Sequence, residues 1–295
     1  MAAAQSRLGI DHPLVTVRNH PQALEKYRRL GFSPSPISYH PWGSVTSLMM
    51  FPNNFIELIG IDDPTKFGTN SVNGFCFGRQ LGGFLDRGEE GVSLVALHSR
   101  DADADYADLE RGGLHGQGRI DFRRRMTLPD GRHDEAVVSL GLFIDPDLKD
   151  ASNFICHQHR PELIWVKSWQ NHPNGANGIK AITYVTTPGQ LESRWMAMYG
   201  DAVRRNANVL EVDTGCGILR AVDQATAEQE YKGTGLPSSP TDRPHAVAIT
   251  LSTRSLSQLT SVLDSNKVPF IGLPGRVLVG PEEAGNVILE FVGDD

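Results

Sequence analysis

Short apolar or alternating runs punctuate this chain in a fixed order. Residues 8–17 have the length and composition of a strand buried over most of its surface. Pro21 then opens a segment in which Leu24, Tyr27 and Leu30 fall at helical spacing, and Gly31 stops it. Strand patterns follow at 37–39, 44–51 and 54–60, with Pro52-Asn53-Asn54 turning the chain before the last. The predicted order is strand, helix, strand, strand, strand.

That order recurs. Residues 91–97 read as a strand, 103–111 as a helix with Tyr106 and Leu109 inward and Gly112-Gly113 ending it, and 117–124, 136–144 and 153–159 as strands. A third copy has a strand at 178–185, a helix at 190–199 and strands at 202–212 and 217–222. The fourth has a strand at 246–251, a helix placing Leu256, Leu259, Val262 and Leu263 on one face, and strands at 277–279 and 286–292. Repetition at this scale decides the fold: an α+β array of four βαβββ modules. The Asn and Gly cluster at 174–178 separates copies two and three, which predicts domains at 1–173 and 174–295. Residues 62–90, rich in Gly and Phe, and 232–243, rich in Gly, Pro, Ser and Thr, read as long connections, the second of them mobile. Connections of that length often act as lids.

Charge narrows the partners. A formal net charge of −7 opposes a nucleic-acid or anionic-membrane surface, since such partners need a concentrated cationic face. The one dense basic run, Arg123-Arg124-Arg125, reads as a solvated strand edge. Cys76, Cys156 and Cys216 are too few and too far apart for a secreted disulfide framework, so a reducing cytoplasm is expected. The pattern shows neither a signal-like apolar stretch behind a basic start nor a membrane-length apolar run, which predicts a chain neither exported nor anchored. A small molecule is the expected partner, with a homodimer possible through the second half.

Gly9-Ile10-Asp11-His12, the helix end Leu30-Gly31-Phe32, His40-Pro41-Trp42-Gly43 and Phe55-Ile56-Glu57-Leu58 together resemble the vicinal oxygen chelate superfamily, and within it the glyoxalase-like domain proteins. The run from His159-Arg160-Pro161-Glu162 to Trp165, with Trp169 and His172-Pro173-Asn174-Gly175, is similar to the same group. The resemblance implies glyoxalase/bleomycin-resistance/dioxygenase-like domains, each made of paired modules that curve into a cup. It also implies a divalent ion (zinc, iron, nickel or manganese) held by first-strand and last-strand residues. Such an ion would chelate neighbouring oxygens and stabilise enolate or alkoxide charge. On this basis the expected function is a metal-dependent lyase or isomerase of a small carbonyl or vicinal-oxygen compound, with Glu57 doubling as the base. A metal-free sequestering protein and an extradiol-type dioxygenase are the alternatives, because a fold does not fix a reaction.

His12 matches the family's first-strand ligand and Glu57 its last-strand ligand. Strand alternation puts His12 with Ile10 and Leu14, and Glu57 with Phe55 and Ile59, so each polar group stands on an apolar face. Burial there is costly unless the group is paired or bound to an ion. A direct His12 to Glu57 hydrogen bond is the plain alternative. In the second copy Leu94 stands opposite His12 and Cys156 opposite Glu57. His157 and His159 share one face of that strand, Cys156 and Gln158 the other, and a one-residue bulge would exchange them. His159 is the preferred third ligand, and His157, His40, Trp42 and Arg124 are expected substrate contacts. In the second half only Glu290 keeps the last-strand acid, so that half is expected to be a degenerate copy.

Overall fold

The computed structural model describes residues 7–187, 189–239 and 243–294. The first half contains β1 (Ile10–Thr16), α1 (His20–Arg29), β2 (Ser38–Tyr39), β3 (Ser44–Met50), β4 (Phe55–Ile61), α2 (Phe77–Asp86), β5 (Gly91–Ser99), α3 (Ala102–Arg111), β6 (Gly118–Thr127), β7 (His133–Phe143) and β8 (Asn153–Gln158). The second contains β9 (Ala176–Val185), α4 (Glu192–Tyr199), β10 (Val203–Asn206), β11 (Val209–Asp213), β12 (Ile218–Val222), α5 (Gln224–Glu230), β13 (His245–Thr253), α6 (Leu256–Ser265), β14 (Ile271–Leu273), β15 (Arg276–Val279) and β16 (Ile288–Gly293).

Each half forms one eight-stranded sheet, in the orders β2-β3-β4-β1-β5-β8-β7-β6 and β10-β11-β12-β9-β13-β16-β15-β14. In both, the first strands of the two modules lie side by side at the centre, β1 antiparallel to β5 and β9 antiparallel to β13. Each pairs in parallel with the last strand of its own module, β1 with β4 and β5 with β8. The last strand of every module therefore faces the same cup as the first. The edge strands β2 and β6 approach each other, so the first sheet curls almost closed.

Strand alternation sorts the side chains onto two faces. Ile56, Val95 and Ile155 of the first sheet, with Ile182, Leu219 and Leu289 of the second, belong to one apolar core. Tyr27 of α1 with Leu30 at its C-terminal cap, Leu109 of α3, Trp195 of α4 and Leu259 of α6 complete it. The change of sheet falls between Gln158 and Ala176, yet the halves share this core. Buried polar bonds also cross between them: Asn54 brackets Ile179, accepting from its N at 2.9 Å and donating to its O at 3.2 Å, and Arg194 donates to Phe143 O at 2.6 Å.

Four elements depart from the sequence pattern, one of them α5, for which no helix was expected. Residues 202–212 form a hairpin rather than one strand, because Ala207 takes a φ of 49° between β10 and β11. β14, only three residues long, carries too little periodicity to register. The connection 62–90 contains α2, hidden in sequence by its three glycines, which lower helix propensity. Those glycines are not equivalent. A Cβ on Gly78 would stand 2.7 Å from Trp42 O and 2.9 Å from Phe67 Cα, whereas one on Gly83 would meet nothing within 4 Å. Gly78→Ala is expected to cost about 1–3 kcal/mol through overpacking, and Gly83→Ala to gain up to about 1 kcal/mol through propensity, as read by chemical denaturation. Of the connection 232–243, residues 240–242 lie outside the described residues.

Candidate functional site

The site begins with an irregularity in β1. Its ladder with β5 shifts register between Ile10 and His12. Ile10 consequently joins the core shared by the halves, while His12 and Leu14 face the cup, correcting the expectation that all three share a face. β4 keeps strict alternation, so Phe55, Glu57 and Ile59 line the cup. His12 Nε2 then lies 3.3 Å from Glu57 Oε2. The His12 ring stacks on Phe55 with centroids 4.2 Å apart.

Both groups are about 95 % buried, and each is held from behind. His12 Nδ1 donates to Asp11 Oδ1 at 2.6 Å, which turns Nε2 toward Glu57. Asp11 Oδ2 ion-pairs with His98 Nδ1 at 2.6 Å, and His98 Nε2 donates to Asn53 O at 2.8 Å. Burial alone would discharge His98, but the charge of Asp11 overcomes it and lifts the imidazole pKa to about 10. Burial likewise opposes the charge on His12, and its hydrogen bonds to Asp11 and Glu57 outweigh that effect and raise its pKa. Glu57 accepts from Thr46 Oγ1 at 2.7 Å. Burial would raise its pKa, but the His12 bond and neighbouring positive charge bring it down to about 2.

A second layer closes the cup. His40 Nε2 stands 3.7 Å from Glu57 Oε1, and His40 Nδ1 pairs with Ser44 Oγ at 2.9 Å. Its ring lies flat on Trp42, with centroids 4.8 Å apart and planes 3° from parallel. Burial, helped by the Arg124 charge, pushes the His40 pKa down to about 3, so it is neutral. Arg124 enters from β6, with Nη1 3.5 Å from His40 Nε2. Leu14, Phe77, Phe122, Leu140 and Phe154 wall a small cavity around these groups. Phe77 comes from α2, so the long connection covers the cup.

The structure thus brings His12, His40, Trp42, Glu57 and Arg124 together and leaves His157 and His159 out. The β8 ladders to β5 and β7 run without a bulge, so Phe154, Cys156 and Gln158 take the cup face. His157 and His159 pack against each other, centroids 3.9 Å apart and planes tilted by 33°, on the opposite face, where His159 Nε2 meets Ser139 Oγ at 2.7 Å. The basic run also needs correction at its middle residue: Arg123 and Arg125 are exposed, but Arg124 is 7 % exposed and points inward. Sequence reasoning gave Asp11 and Thr46 no role and omitted His98. Asp11 was the one with a signal, an acid beside His12 on a strand otherwise apolar.

The divalent ion implied by the resemblance can be tested against these residues. His12 Nε2 and the Glu57 carboxylate converge, but the expected third donor, His159, is on the wrong face. The nearest replacement, His40 Nε2, is already in contact with Arg124, whose charge is permanent. A dication placed there would be repelled by that guanidinium at short range in a poorly screened site. Among the described residues no three His, Cys, Asp or Glu side chains form a metal-binding group. The donor set does not fit the ion as it stands, and no step below is routed through one.

The corresponding cup of the second half is filled by its own side chains. Arg220 holds Glu230 at the end of α5 through two bonds of 2.5 and 2.7 Å, and Tyr231 Oη donates to Thr183 Oγ1 at 3.2 Å. Glu290 accepts from Thr250 Oγ1 and from Arg276 Nη1, both at 2.7 Å. The surviving acid is committed to that lattice.

Two sheets of paired βαβββ modules, one cup lined with acid–base groups and the other plugged, place the chain in the vicinal oxygen chelate superfamily. It belongs to the glyoxalase-like domain family, whose model matches residues 10–199. No curated protein matches it in sequence. Among solved structures, a hypothetical protein from Staphylococcus aureus superposes with a TM-score of 0.67 at 12% identity, over 97% of this chain and 99% of that one. A triple mutant of 4-hydroxymandelate synthase from Streptomyces coelicolor gives 0.60 at 10% identity, over 98% and 93%. A xylose isomerase-like TIM barrel/4-hydroxyphenylpyruvate dioxygenase fusion protein gives 0.58 at 12% identity, over 99% of this chain but 50% of that one. At these identities the likeness is one of fold. Among the described residues no helix is long and apolar enough to cross a membrane.

Proposed function

We propose that the chain is a small-molecule enzyme of the lyase or isomerase class, whose first-half cup moves a proton next to a carbonyl group. The observation that carries this reading is the buried His12–Glu57 pair, 3.3 Å apart on the cavity wall with Asp11 anchoring the far side of the imidazole. A carboxylate with a pKa near 2 is a weak base by itself. Held ionised beside Nε2, it instead makes the imidazole more basic, and His12 Nε2 takes and returns the proton. Asp11 holds the Nδ1 proton, so that the proton exchanged is the one on Nε2, on the side facing Glu57. The apolar walls exclude water from the carbanion or enolate that results.

The test follows solvent deuterium entering the carbon next to the carbonyl. A panel of 2-hydroxy and 2-oxo aldehydes, ketones and acids is incubated with the protein in D₂O, with and without a chelator, and read by NMR. Exchange into at least one member, unaffected by chelation and at least tenfold slower in Glu57→Gln, is the expected result. Exchange that vanishes with the chelator and returns with zinc, iron, nickel or manganese restores the metal-dependent reading. Tight binding of a panel member without any exchange favours the sequestering protein, which the permanent cation in the cup also suits.

A further inference from the structure

Arg124 is costly to bury and is poorly repaid by the protein around it. It is 7 % exposed, and among the described residues its one side-chain hydrogen bond is the 3.5 Å contact to His40 and its Nε has no partner. Trp42, 2 % exposed, has an indole Nε1 equally without a partner among them. Both residues line the cavity. Buried donors are nearly always satisfied, and an orphan N–H is destabilising, the more so when the group is charged. Two such donors on one small cavity call for an acceptor supplied from outside the chain.

The geometry points to Arg124 and Trp42 as the seat of a ligand carboxylate, so that the cup takes a flat, apolar monocarboxylic acid of the aryl or 2-oxo acid kind. This rests on the cup being the ligand site, and it adds the ligand's class. A guanidinium presents two parallel N–H bonds along its Nε edge, a match to the two oxygens of a carboxylate. Glu57 does not use that edge, because its oxygens are engaged by Thr46 and His12. The charges also balance. Asp11 and His98 neutralise each other, and Glu57 offsets one of His12 and Arg124, leaving at most one positive charge for a ligand to meet. A monoanion completes that balance, whereas a phosphate dianion exceeds it and enters a cavity with no further cation. Phe77 and Phe122, both packed on Trp42, and Phe154, packed on Phe77, supply the flat apolar walls for the rest of the molecule. An outer groove lies against the same seat, sharing His40, Leu48 and Arg124 with the cavity as lining.

The probes are benzoate and phenylglyoxylate, with benzamide as the neutral isostere and phenyl phosphate as the dianion, titrated calorimetrically with chelator present. Either carboxylate is expected to bind about ten- to hundredfold more tightly than benzamide, the value of a charge-assisted pair over a neutral one. Phenyl phosphate should bind no better than benzamide. Arg124→Met should abolish the preference, and Arg124→Lys, which keeps the charge but lacks the fork, should retain part of it. Glu57→Gln should keep it, so that loss of proton exchange there with binding intact separates failure of the chemistry from failure of the seat. Equal binding of benzoate and benzamide to the wild-type protein overturns the proposal even if the Arg124 variants do not fold. So does a preference that survives in Arg124→Met, or one that appears only without chelator.

Discussion

His12→Gln is expected to lower proton exchange by about 10²- to 10⁴-fold, the usual contribution of one positioned acid–base group. Glutamine keeps a polar head at about the right reach but cannot take a proton. The pH profile distinguishes this role from mere packing. His12 acts as a base only when neutral, so activity should fall on the acid side as its imidazole protonates. Glu57 and Asp11 both raise the His12 pKa. Removing the Glu57 charge in Glu57→Gln should therefore move the acid limb to lower pH while reducing the rate, an effect that a structural role for Glu57 does not produce. Stability carries its own signature. The Glu57 pKa is lower in the fold than its ordinary value, 4.5 falling to about 2, so its contribution is present above about pH 4.5 and is lost as pH drops toward 2. Glu57→Gln should show a flatter acid denaturation curve over that interval.

The module order was legible because strand and helix periods differ and recur four times, and the His12–Glu57 meeting followed from placing the first and last strands of one module beside each other. What sequence could not give depended on register. The irregularity in β1 that separates Ile10 from His12 is a property of its ladder with β5. The absence of such a shift in β8 is what sends His157 and His159 away from the cup. Arg124 sits in a run that reads as solvated, and although it was expected at the rim as a substrate contact, its burial inside the cup comes from the inward turn of β6. His98 is far from Asp11 in sequence, and the β1–β5 pairing brings the two together. Nor did residue identity predict that α5 and Tyr231 fill the second cup while α2 covers the first, since 62–90 read as a long connection and 224–231 carried no reading.

Asp11→Asn is expected to be the most destabilising of these substitutions, by about 3–5 kcal/mol, because it strips the counter-charge from a buried imidazolium. Asp11 is fully buried and pairs with His98 on one oxygen and His12 on the other. Without it His98 must either stay charged and uncompensated or give up its proton, and both are costly at 1 % exposure. The double variant Asp11→Asn, His98→Gln removes both charges and should recover about 1–3 kcal/mol of the loss, the range of coupling between groups in contact. The pH dependence follows from the signs of the two shifts. The His98 pKa is raised, so its contribution is complete below about pH 6.5 and is lost as pH climbs through about 10. The Asp11 pKa is lowered, so its contribution is present above about pH 3.8 and is lost on further acidification. Wild-type stability should accordingly hold a plateau between about pH 4.5 and 6.5 and slope downward to about 10, measured by urea unfolding across that range. The alkaline slope should be clearly shallower in Asp11→Asn, where only the Glu57 effect on His12 remains, and an unchanged slope there would show that some other group than the Asp11–His98 pair produces it.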